Sequence, residues 1–419
     1  MAPSLHADYA IEISLTAARR RDYGDGLTAG HLDSLVDQNI ALYARLRDGE
    51  GPLCTKPWVG LEERSSLGHV KPCCWYRGLP QGAIHNGRDV MAIWNGARYR
   101  ALRRAMRVNP PQECPVTCPL LTARPRWFGK VELYDYSRPD LASFDADFLA
   151  NRAGVLRAIL AGHDDLEGLH PLRLHLHPSD VCNLRCVMCF LDLDSGRKRT
   201  WYAGPQLGEL MRYLEEIKIF GGEPFFCDTS RALILNPDKP RWTHTSFLTN
   251  GTLITERVVD ELEAVRIGHI DVSLDAAGAA SYEHIRLRGN FDKALAGARR
   301  LVELGRRHSI RRFDVYADFV IQELNYRELE RFILLSAEVG LIANFGLCGD
   351  NRESALRAQR QGTALGVRPS DTGDLMRHVD AALLRAETLK LAFAVDSLAR
   401  MRDEIRAAAM AHAVDATMA

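Results

Sequence analysis

Short apolar runs alternate with amphipathic stretches from residue 171 onward, and this alternation limits the fold more than any other feature of the 419-residue chain. Six runs have the length and composition of strands, namely residues 172–177, 216–220, 245–249, 269–274, 315–321 and 341–347. Helical spacing recurs between them, near residues 206–215, 255–265, 290–307 and 326–339. Strands that alternate with helices indicate a parallel sheet with right-handed crossovers. We therefore expect an α/β fold, either an open sheet or a partial barrel of six β/α units.

The rest of the chain differs in character from this α/β region. We predict a helical N-terminal segment, a cysteine-rich module, a linker, the α/β domain and a helical extension, with the boundaries 1–53, 54–120, 121–170, 171–350 and 351–419. The cysteine-rich module has one helical patch, near 89–107, and the linker has a helix near 149–161. Because the module has few apolar residues with which to build a core, a bound metal would help to hold it together.

Charge and hydropathy count against several classes of partner. The chain has 54 basic and 54 acidic residues, so it lacks the positive surplus that non-specific nucleic-acid binding needs. It has no apolar run of the roughly 20 residues that cross a bilayer, and its first residues do not resemble a secretory signal. We expect a cytoplasmic protein that binds neither nucleic acid nor membrane. In a reducing compartment, clustered cysteines bind metals more often than they form disulfides.

Three cysteines follow directly on the first predicted strand: Cys182, Cys186 and Cys189. A structural zinc site usually takes four protein ligands, and a four-iron cluster held by cysteines alone also takes four. Three thiolates would therefore leave one iron of a cluster open to a small molecule. A zinc site completed by His175 or His177 is the alternative.

The second predicted strand ends in Gly221-Gly222-Glu223-Pro224. Glycines allow the backbone to approach a ligand closely. A carboxylate at the end of a strand can accept hydrogen bonds from an ammonium group. Alone, this motif could be a simple turn.

The CxxxCxxC spacing followed by Gly-Gly-Glu-Pro resembles the radical S-adenosylmethionine (SAM) superfamily, over residues 171–350. The resemblance implies a partial (β/α)6 barrel, a SAM-binding 4Fe-4S cluster on the three cysteines, and SAM held by the Gly-Gly-Glu-Pro residues. Later segments match in order and imply four further SAM contacts, Asn250, Ser273, Asp275 and Arg286. The implied chemistry is reductive cleavage of SAM to methionine and a 5′-deoxyadenosyl radical. An electron donor such as flavodoxin or ferredoxin would be a partner.

The N-terminal cysteines resemble the auxiliary-cluster modules called SPASM and twitch, although here the module precedes the barrel. The resemblance implies a second, auxiliary 4Fe-4S cluster. We favour as ligands Cys54, Cys73, Cys114 and Cys118, because Cys73 stands five residues after Gly68 as in that family. Cys74 is the alternate ligand. A closed four-cysteine zinc site is the alternative to a cluster.

The sequence says less about the substrate. Our leading hypothesis is epimerisation of a carbohydrate-containing natural product, with a cysteine thiol as hydrogen-atom donor. Cys348 and Cys227 are the candidates because they lie outside both clusters, and we prefer Cys348 because Cys227 lies closer to the SAM motif. The alternatives are dehydrogenation, modification of a ribosomally made peptide, and a non-catalytic iron–sulfur protein. The helical pattern of residues 1–53 counts against the winged-helix domain that peptide-modifying relatives often carry.

Overall fold

A computed structural model describes most of the chain, and the described residues are 29–114, 118, 121, 136, 138–191, 193–194, 196–198, 202, 205–348 and 372–418. They form two compact units. The first unit lies within Met1–Leu176, Thr200–Lys218 and Pro237–His244. The second unit lies within His177–Arg199, Ile219–Asn236 and Thr245–Ala419.

The elements are numbered here in chain order. The strands are β1 (Gly60–Glu63), β2 (His69–Lys71), β3 (Gly82–Ala83), β4 (Arg173–Leu176), β5 (Arg185–Cys186), β6 (Glu216–Ile219), β7 (His244–Thr249), β8 (Ile267–Ser273), β9 (Arg286–Leu287), β10 (Asp314–Ile321) and β11 (Ile342–Leu347). The helices of the first unit are α1 (Ala29–Arg47), α2 (Lys56–Val59), α3 (Gly87–Trp94), α4 (Ala97–Val108), α5 (Arg138–Leu141), α6 (Ala146–Ala161) and α7 (Pro205–Met211). Those of the second unit are α8 (Asp228–Leu235), α9 (Glu256–Leu262), α10 (Ala279–Ile285), α11 (Phe291–Arg307), α12 (Leu329–Val339), α13 (Thr372–Thr388) and α14 (Ala392–Met418).

In the first unit, the cysteine-rich module continues the sheet that contains β4. The strand order is β6-β4-β1-β2-β3. Strand β1 runs parallel to β4, with Leu61 opposite Leu174, and antiparallel to β2. Gly60 is required where β1 begins, because a Cβ atom there would lie 2.1 Å from the carbonyl oxygen of Arg173. The module is thus built onto the sheet by backbone pairing.

In the second unit, β7, β8, β10 and β11 form a parallel sheet in the order β11-β10-β8-β7. The outer edge of β11 is covered by α14. The Ser397 hydroxyl accepts a hydrogen bond from Phe345 N–H at 2.8 Å and contacts the Phe345 carbonyl at 3.2 Å. A buried serine therefore satisfies backbone groups that an open strand edge would leave unpaired. The second unit also contains a two-stranded antiparallel ribbon, formed by β5 and β9.

The structure confirms the α/β fold class. Each of the six predicted strands is present within about two residues of its predicted bounds. The four predicted helices between them are also present, with ends that differ from the prediction by up to four residues. Among the helices between these strands, α8 and α10 were not predicted. The predicted helical residues 1–28 and 351–371 lie outside the described residues, and the five-segment division stays a prediction. No helix in the described part of the chain is long and apolar enough to cross a bilayer.

Candidate active site and cysteine cavity

The loop that carries Cys182, Cys186 and Cys189 is held in place by backbone contacts. Val187 N–H donates to the Ile285 carbonyl at 2.9 Å, next to the point where Cys186 stands opposite Arg286 in the β5–β9 ribbon. All three cysteines are partly buried. Burial raises the pKa of Cys182 to about 12 and that of Cys186 to about 11. Thiols in such a setting are costly to ionise alone, whereas bound iron compensates the charge of a thiolate.

The two glycines of Gly221-Gly222-Glu223-Pro224 lie against the backbone of the preceding loop. Gly222 N–H donates to the Ser179 carbonyl at 2.7 Å, and Glu223 N–H donates to the Val181 carbonyl at 2.9 Å. A Cβ atom on Gly222 would lie 1.9 Å from the Val181 carbonyl oxygen. Gly221 has φ +120°, a conformation that favours glycine. The glycines thus let this turn pack against the backbone that leads into Cys182, and their predicted contact with SAM stays a prediction.

The Glu223 side chain joins this turn to the end of β7. It is 1% exposed and accepts hydrogen bonds from the Thr249 hydroxyl at 2.8 Å and from Asn250 N–H at 2.7 Å. Burial raises the pKa of Glu223 to about 7, although these hydrogen bonds favour the charged form. Pro224 is buried and begins a short 3-10 turn. The carboxylate keeps lone pairs for a further donor, so its predicted role toward SAM stays a prediction.

Asn250 links the end of β7 to the three-cysteine loop. Its amide nitrogen donates to the Asn183 side-chain oxygen at 2.9 Å, and its own oxygen accepts from Thr252 N–H at 3.0 Å. Asn183 in turn donates to the Thr252 hydroxyl at 3.0 Å. Asn183 and Thr252 were not predicted as site residues. The sequence signal for them is their position, since Asn183 follows Cys182 and Thr252 stands two residues after Asn250.

Asp275 and Arg286, two predicted SAM contacts, bind each other. Arg286 donates to Asp275 at 2.5 Å and to the Cys186 sulfur at 3.7 Å. The other Asp275 oxygen accepts from Val320 N–H at 2.7 Å, and the Asp275 carbonyl accepts from the Asn325 amide at 2.9 Å. Asn325 precedes the short turn before α12, and its side chain also holds the backbone of Asp275. The fourth predicted contact, Ser273, ends β8 and is partly buried.

The two candidate donor cysteines both lie in the second unit, in different surroundings. Cys227 is buried at the start of α8. Burial raises the pKa of this thiol, but hydrogen bonds from Ser230, Ser179 and Thr229 outweigh it and leave the pKa below its usual value. Cys348 follows β11 and packs, with Met188, on the small apolar cluster of Val187 and Ile285.

This placement removes one reason for preferring Cys348. The cluster on which it packs contains Val187, which lies between Cys186 and Cys189, so Cys348 is also on the side of the three-cysteine loop. The carboxyl ends of parallel strands meet at one edge of a sheet, and residues that follow different strands are therefore gathered together. Both thiols stay predicted donors.

The two histidines of the zinc alternative are engaged with carboxylates. In the second unit, His177 Nε2 lies 2.8 Å from Asp180. In the first unit, His175 Nδ1 lies 3.0 Å from Glu62. Burial raises the pKa of Glu62, but His175 and other nearby positive side chains outweigh this effect and lower the pKa to about 2. Among the described residues, no three His, Cys, Asp or Glu side chains are arranged to hold a single metal ion.

In the first unit, the four favoured N-terminal cysteines line one cavity. Its walls include Cys54, Cys73, Cys114 and Cys118, together with Lys56, Trp75 and Met106. Cys74 is exposed and is not among the lining residues, since neighbouring residues point in different directions. Gly68 has φ +82°, and the turn there leads back into β2 and so to Cys73. Burial raises the pKa of Cys73 well above its usual value and that of Cys114 to about 11.

Comparison with known proteins adds family information to this geometry. The profile of the radical SAM superfamily matches residues 176–334, and that of SPASM, an iron–sulfur cluster-binding domain, matches residues 65–119. The chain carries a radical SAM domain and, before it, a SPASM domain. The radical SAM domain implies SAM and a 4Fe-4S cluster, and the SPASM domain implies auxiliary iron–sulfur clusters.

Similar proteins cover only parts of the chain. A probable GTP 3′,8-cyclase from Archaeoglobus fulgidus is 31% identical over 32% of this chain and 45% of its own length. The mycofactocin maturase MftC from Mycolicibacterium smegmatis is 28% identical over 41% of this chain and 43% of its own. The matches thus span about half the length of these curated relatives or less. Streptococcus suis SuiB, solved with its precursor peptide SuiA, is 17% identical, with a TM-score of 0.41, over 62% of this chain and 54% of that one.

Proposed function

We propose that this protein is a radical SAM enzyme in which Cys182, Cys186 and Cys189 hold a 4Fe-4S cluster with one iron open to SAM. The main support for the proposal is that the Gly221–Pro224 turn packs against the three-cysteine loop in the second unit. The Gly221–Pro224 turn hydrogen-bonds to the backbone that leads into Cys182, and Glu223 and Asn250 join both loops to the end of β7. When bound, the cluster supplies the electron that cleaves SAM to methionine and a 5′-deoxyadenosyl radical, which takes hydrogen from a substrate carbon.

The residues of this chain fit those cofactors. Three partly buried thiols form an incomplete cluster-binding set, because a cluster held by cysteines alone takes four. Glu223 and Asn250 place polar atoms beside that set, where they would bind the amino acid part of SAM and orient it. Burial of Glu223 keeps water from its carboxylate, so a hydrogen bond to SAM would be stronger there than at the surface.

Electron paramagnetic resonance (EPR) tests the open iron. Anaerobically reconstituted protein is reduced, and its spectrum is recorded with and without SAM. We expect SAM to change the signal of one cluster, and we expect this change to be absent from the triple Cys182→Ala, Cys186→Ala, Cys189→Ala variant. Cys74→Ala is the matched control, because it removes a cysteine that lines no cluster cavity. A spectrum unaffected by SAM would contradict the proposal.

In the first unit, we propose that the four-cysteine cavity holds a fully ligated auxiliary 4Fe-4S cluster. A zinc ion needs all its sulfur ligands at about 2.3 Å from one point. A cubane cluster instead binds each cysteine through a different iron, so its ligands need not converge. The absence, from the described residues, of any three side chains set to hold a single ion favours the cluster. Its predicted role is electron transfer.

For the substrate, we propose a polar, carbohydrate-containing molecule that is epimerised. Support comes from one face of the second unit's sheet. Along β10, Val315, Ala317 and Phe319 are buried, whereas three of the four partly buried residues on the opposite face are polar, namely Asp314, Tyr316 and Asp318. Neighbouring strands extend this face with Asn344, which donates to Asp318 at 2.7 Å, and with Asp271, which is opposite Tyr316. Parallel sheets are usually apolar on both faces, so a polar face favours a hydrogen-bonding ligand.

A substrate screen separates this proposal from its alternatives. Reconstituted enzyme is incubated anaerobically with SAM, reductant and either aminoglycoside-type glycosides or any short peptide that a neighbouring gene is found to encode. Substrate-dependent formation of 5′-deoxyadenosine identifies the class. A response to a peptide alone would replace the carbohydrate proposal with peptide modification. A product two hydrogens lighter than its substrate would identify a dehydrogenase.

A further inference from the structure

Cys186 and Arg286 face each other across the β5–β9 ribbon. They are direct cross-strand partners, and the ribbon continues into the hydrogen bond from Val187 N–H to the Ile285 carbonyl at 2.9 Å. The Arg286 guanidinium lies 3.7 Å from the Cys186 sulfur through Nη1. Its side chain is 8% exposed, so this contact is shielded from water. The pairing fixes the backbone on both sides, and the guanidinium has little freedom to leave the sulfur.

Asp275 holds the guanidinium in this orientation. It binds Arg286 Nη2 at 2.5 Å and is fully buried. Asp275 has φ +58°, which is unfavourable for a residue with a side chain. That conformation is stabilised by Val320 N–H, which donates to its carboxylate, and by the Asn325 amide, which donates to its carbonyl. Because Asp275 is fully buried and is held by these two hydrogen bonds, its carboxylate keeps the Arg286 guanidinium in one orientation.

We propose that Arg286 hydrogen-bonds the Cys186 thiolate and thereby raises the reduction potential of the SAM-binding cluster, with Asp275 as its positioning residue. The proposal rests on the proposed function, because it needs a cluster on Cys186. Reduction adds negative charge to a cluster, and hydrogen bonds to its ligand sulfurs stabilise the reduced form. The Arg286–Asp275 pair carries no net charge, so the directed N–H to sulfur contact supplies the effect.

This role differs from direct binding of SAM, which the family resemblance implies for Arg286. One terminal nitrogen of the guanidinium donates to Asp275, and the other donates to the Cys186 sulfur. A SAM contact would change the affinity for SAM and leave the potential of the SAM-free cluster unchanged. A thiolate contact would change that potential in the absence of SAM.

The test is an EPR-monitored redox titration of SAM-free, reconstituted protein. The signal of the SAM-binding cluster is the one that the triple cysteine variant lacks. We expect Arg286→Lys and Arg286→Gln to move its midpoint potential to more negative values, because the planar donor is lost. Asp275→Asn should give a smaller shift in the same direction, because Arg286 remains but is no longer held by a charge. Arg288→Lys is the matched control, since Arg288 is exposed and two residues away, and it should leave the potential unchanged.

The outcomes separate the two proposals. A wild-type potential in both Arg286 variants, with weakened SAM binding, would overturn the thiolate contact and leave Arg286 as a SAM ligand. If the Arg286 variants bind less iron, Asp275→Asn still decides, because its Arg286 is intact; an unchanged potential there would contradict the positioning role. If the triple cysteine variant loses no cluster signal, the proposed function itself fails, whatever the Arg286 variants show.

Discussion

The backbone N–H of Asn250 donates to the buried carboxylate of Glu223 at 2.7 Å. This bond links the turn that follows β6 to the turn that follows β7. The same Asn250 reaches the three-cysteine loop through Asn183. A change at Glu223 is therefore expected to affect the site for SAM more than the cluster, because the cysteine loop has further supports in the β5–β9 ribbon.

Replacement of Glu223 by glutamine should change how SAM binding depends on pH. Burial holds the pKa of Glu223 at about 7, so below pH 7 the carboxyl must lose a proton before it can accept a charged hydrogen bond from SAM. We expect the wild-type affinity for SAM to fall about tenfold per pH unit below pH 7. Glu223→Gln should bind SAM about 10- to 100-fold more weakly at pH 8, the typical worth of one charged hydrogen bond, and show no such fall.

Equilibrium dialysis of reconstituted protein between pH 6 and 8 measures both affinities. The iron content of Glu223→Gln should equal that of the wild type, which controls for damage to the cluster. Parallel pH profiles for the two proteins would show that the Glu223 carboxylate does not contact SAM.

Substitution of Gly222 by alanine should remove the SAM-binding cluster. The added Cβ would lie 1.9 Å from the Val181 carbonyl oxygen, so the turn and the backbone before Cys182 would have to separate. The expected result is loss of about half of the iron, with the auxiliary cluster retained. Gly208→Ala is the matched control, because a Cβ there has no heavy atom within 4 Å. Wild-type iron content in Gly222→Ala would show that the cluster does not depend on this packing.

The N-terminal cluster should depend on Cys73 and not on Cys74. Cys73 lines the four-cysteine cavity, whereas Cys74 is exposed outside it. Reconstituted wild type should contain about eight iron and eight sulfide, assuming two four-iron clusters. Cys73→Ala should lower this toward four, and Cys74→Ala should leave it unchanged. Metal analysis also checks for zinc: zinc bound by the wild type in place of the second cluster would contradict the auxiliary cluster.

The sequence predicted features formed by residues that are close together in the chain better than features formed by residues that are far apart in it. Strands and the three-cysteine loop are local patterns, and both were predicted correctly in position. The pairing of β1 with β4 joins residues such as Leu61 and Leu174, which are far apart in the chain, and no local pattern signals it. For the same reason the sequence identified Arg286 as a site residue without indicating its contact with Cys186. The packing of Gly222 against Val181 was not foreseen, because a glycine that accommodates backbone looks the same in sequence as one that accommodates a ligand.

Cys348 is the predicted hydrogen-atom donor if the enzyme is an epimerase. The Cys348→Ala variant should still form 5′-deoxyadenosine with the substrate found in the screen, since abstraction precedes donation, but should lose the inverted product. In deuterated water, the wild-type product should carry one deuterium at the inverted carbon, because a thiol exchanges its hydrogen with solvent. Mass spectrometry measures both. Full epimer formation by the variant would exclude Cys348 as donor and leave Cys227→Ala as the next variant.

Cleavage of SAM at the three-cysteine site is the reaction that defines the proposed enzyme, and it can be measured without knowing the substrate. Reconstituted protein is incubated anaerobically with SAM and dithionite, and 5′-deoxyadenosine and methionine are quantified by liquid chromatography with mass spectrometry. We predict that the wild type and Cys74→Ala form both products and that the triple Cys182→Ala, Cys186→Ala, Cys189→Ala variant forms neither. A fully iron-loaded wild type that leaves SAM intact, or a triple variant that still cleaves it, would show that the protein is not a radical SAM enzyme of the kind proposed.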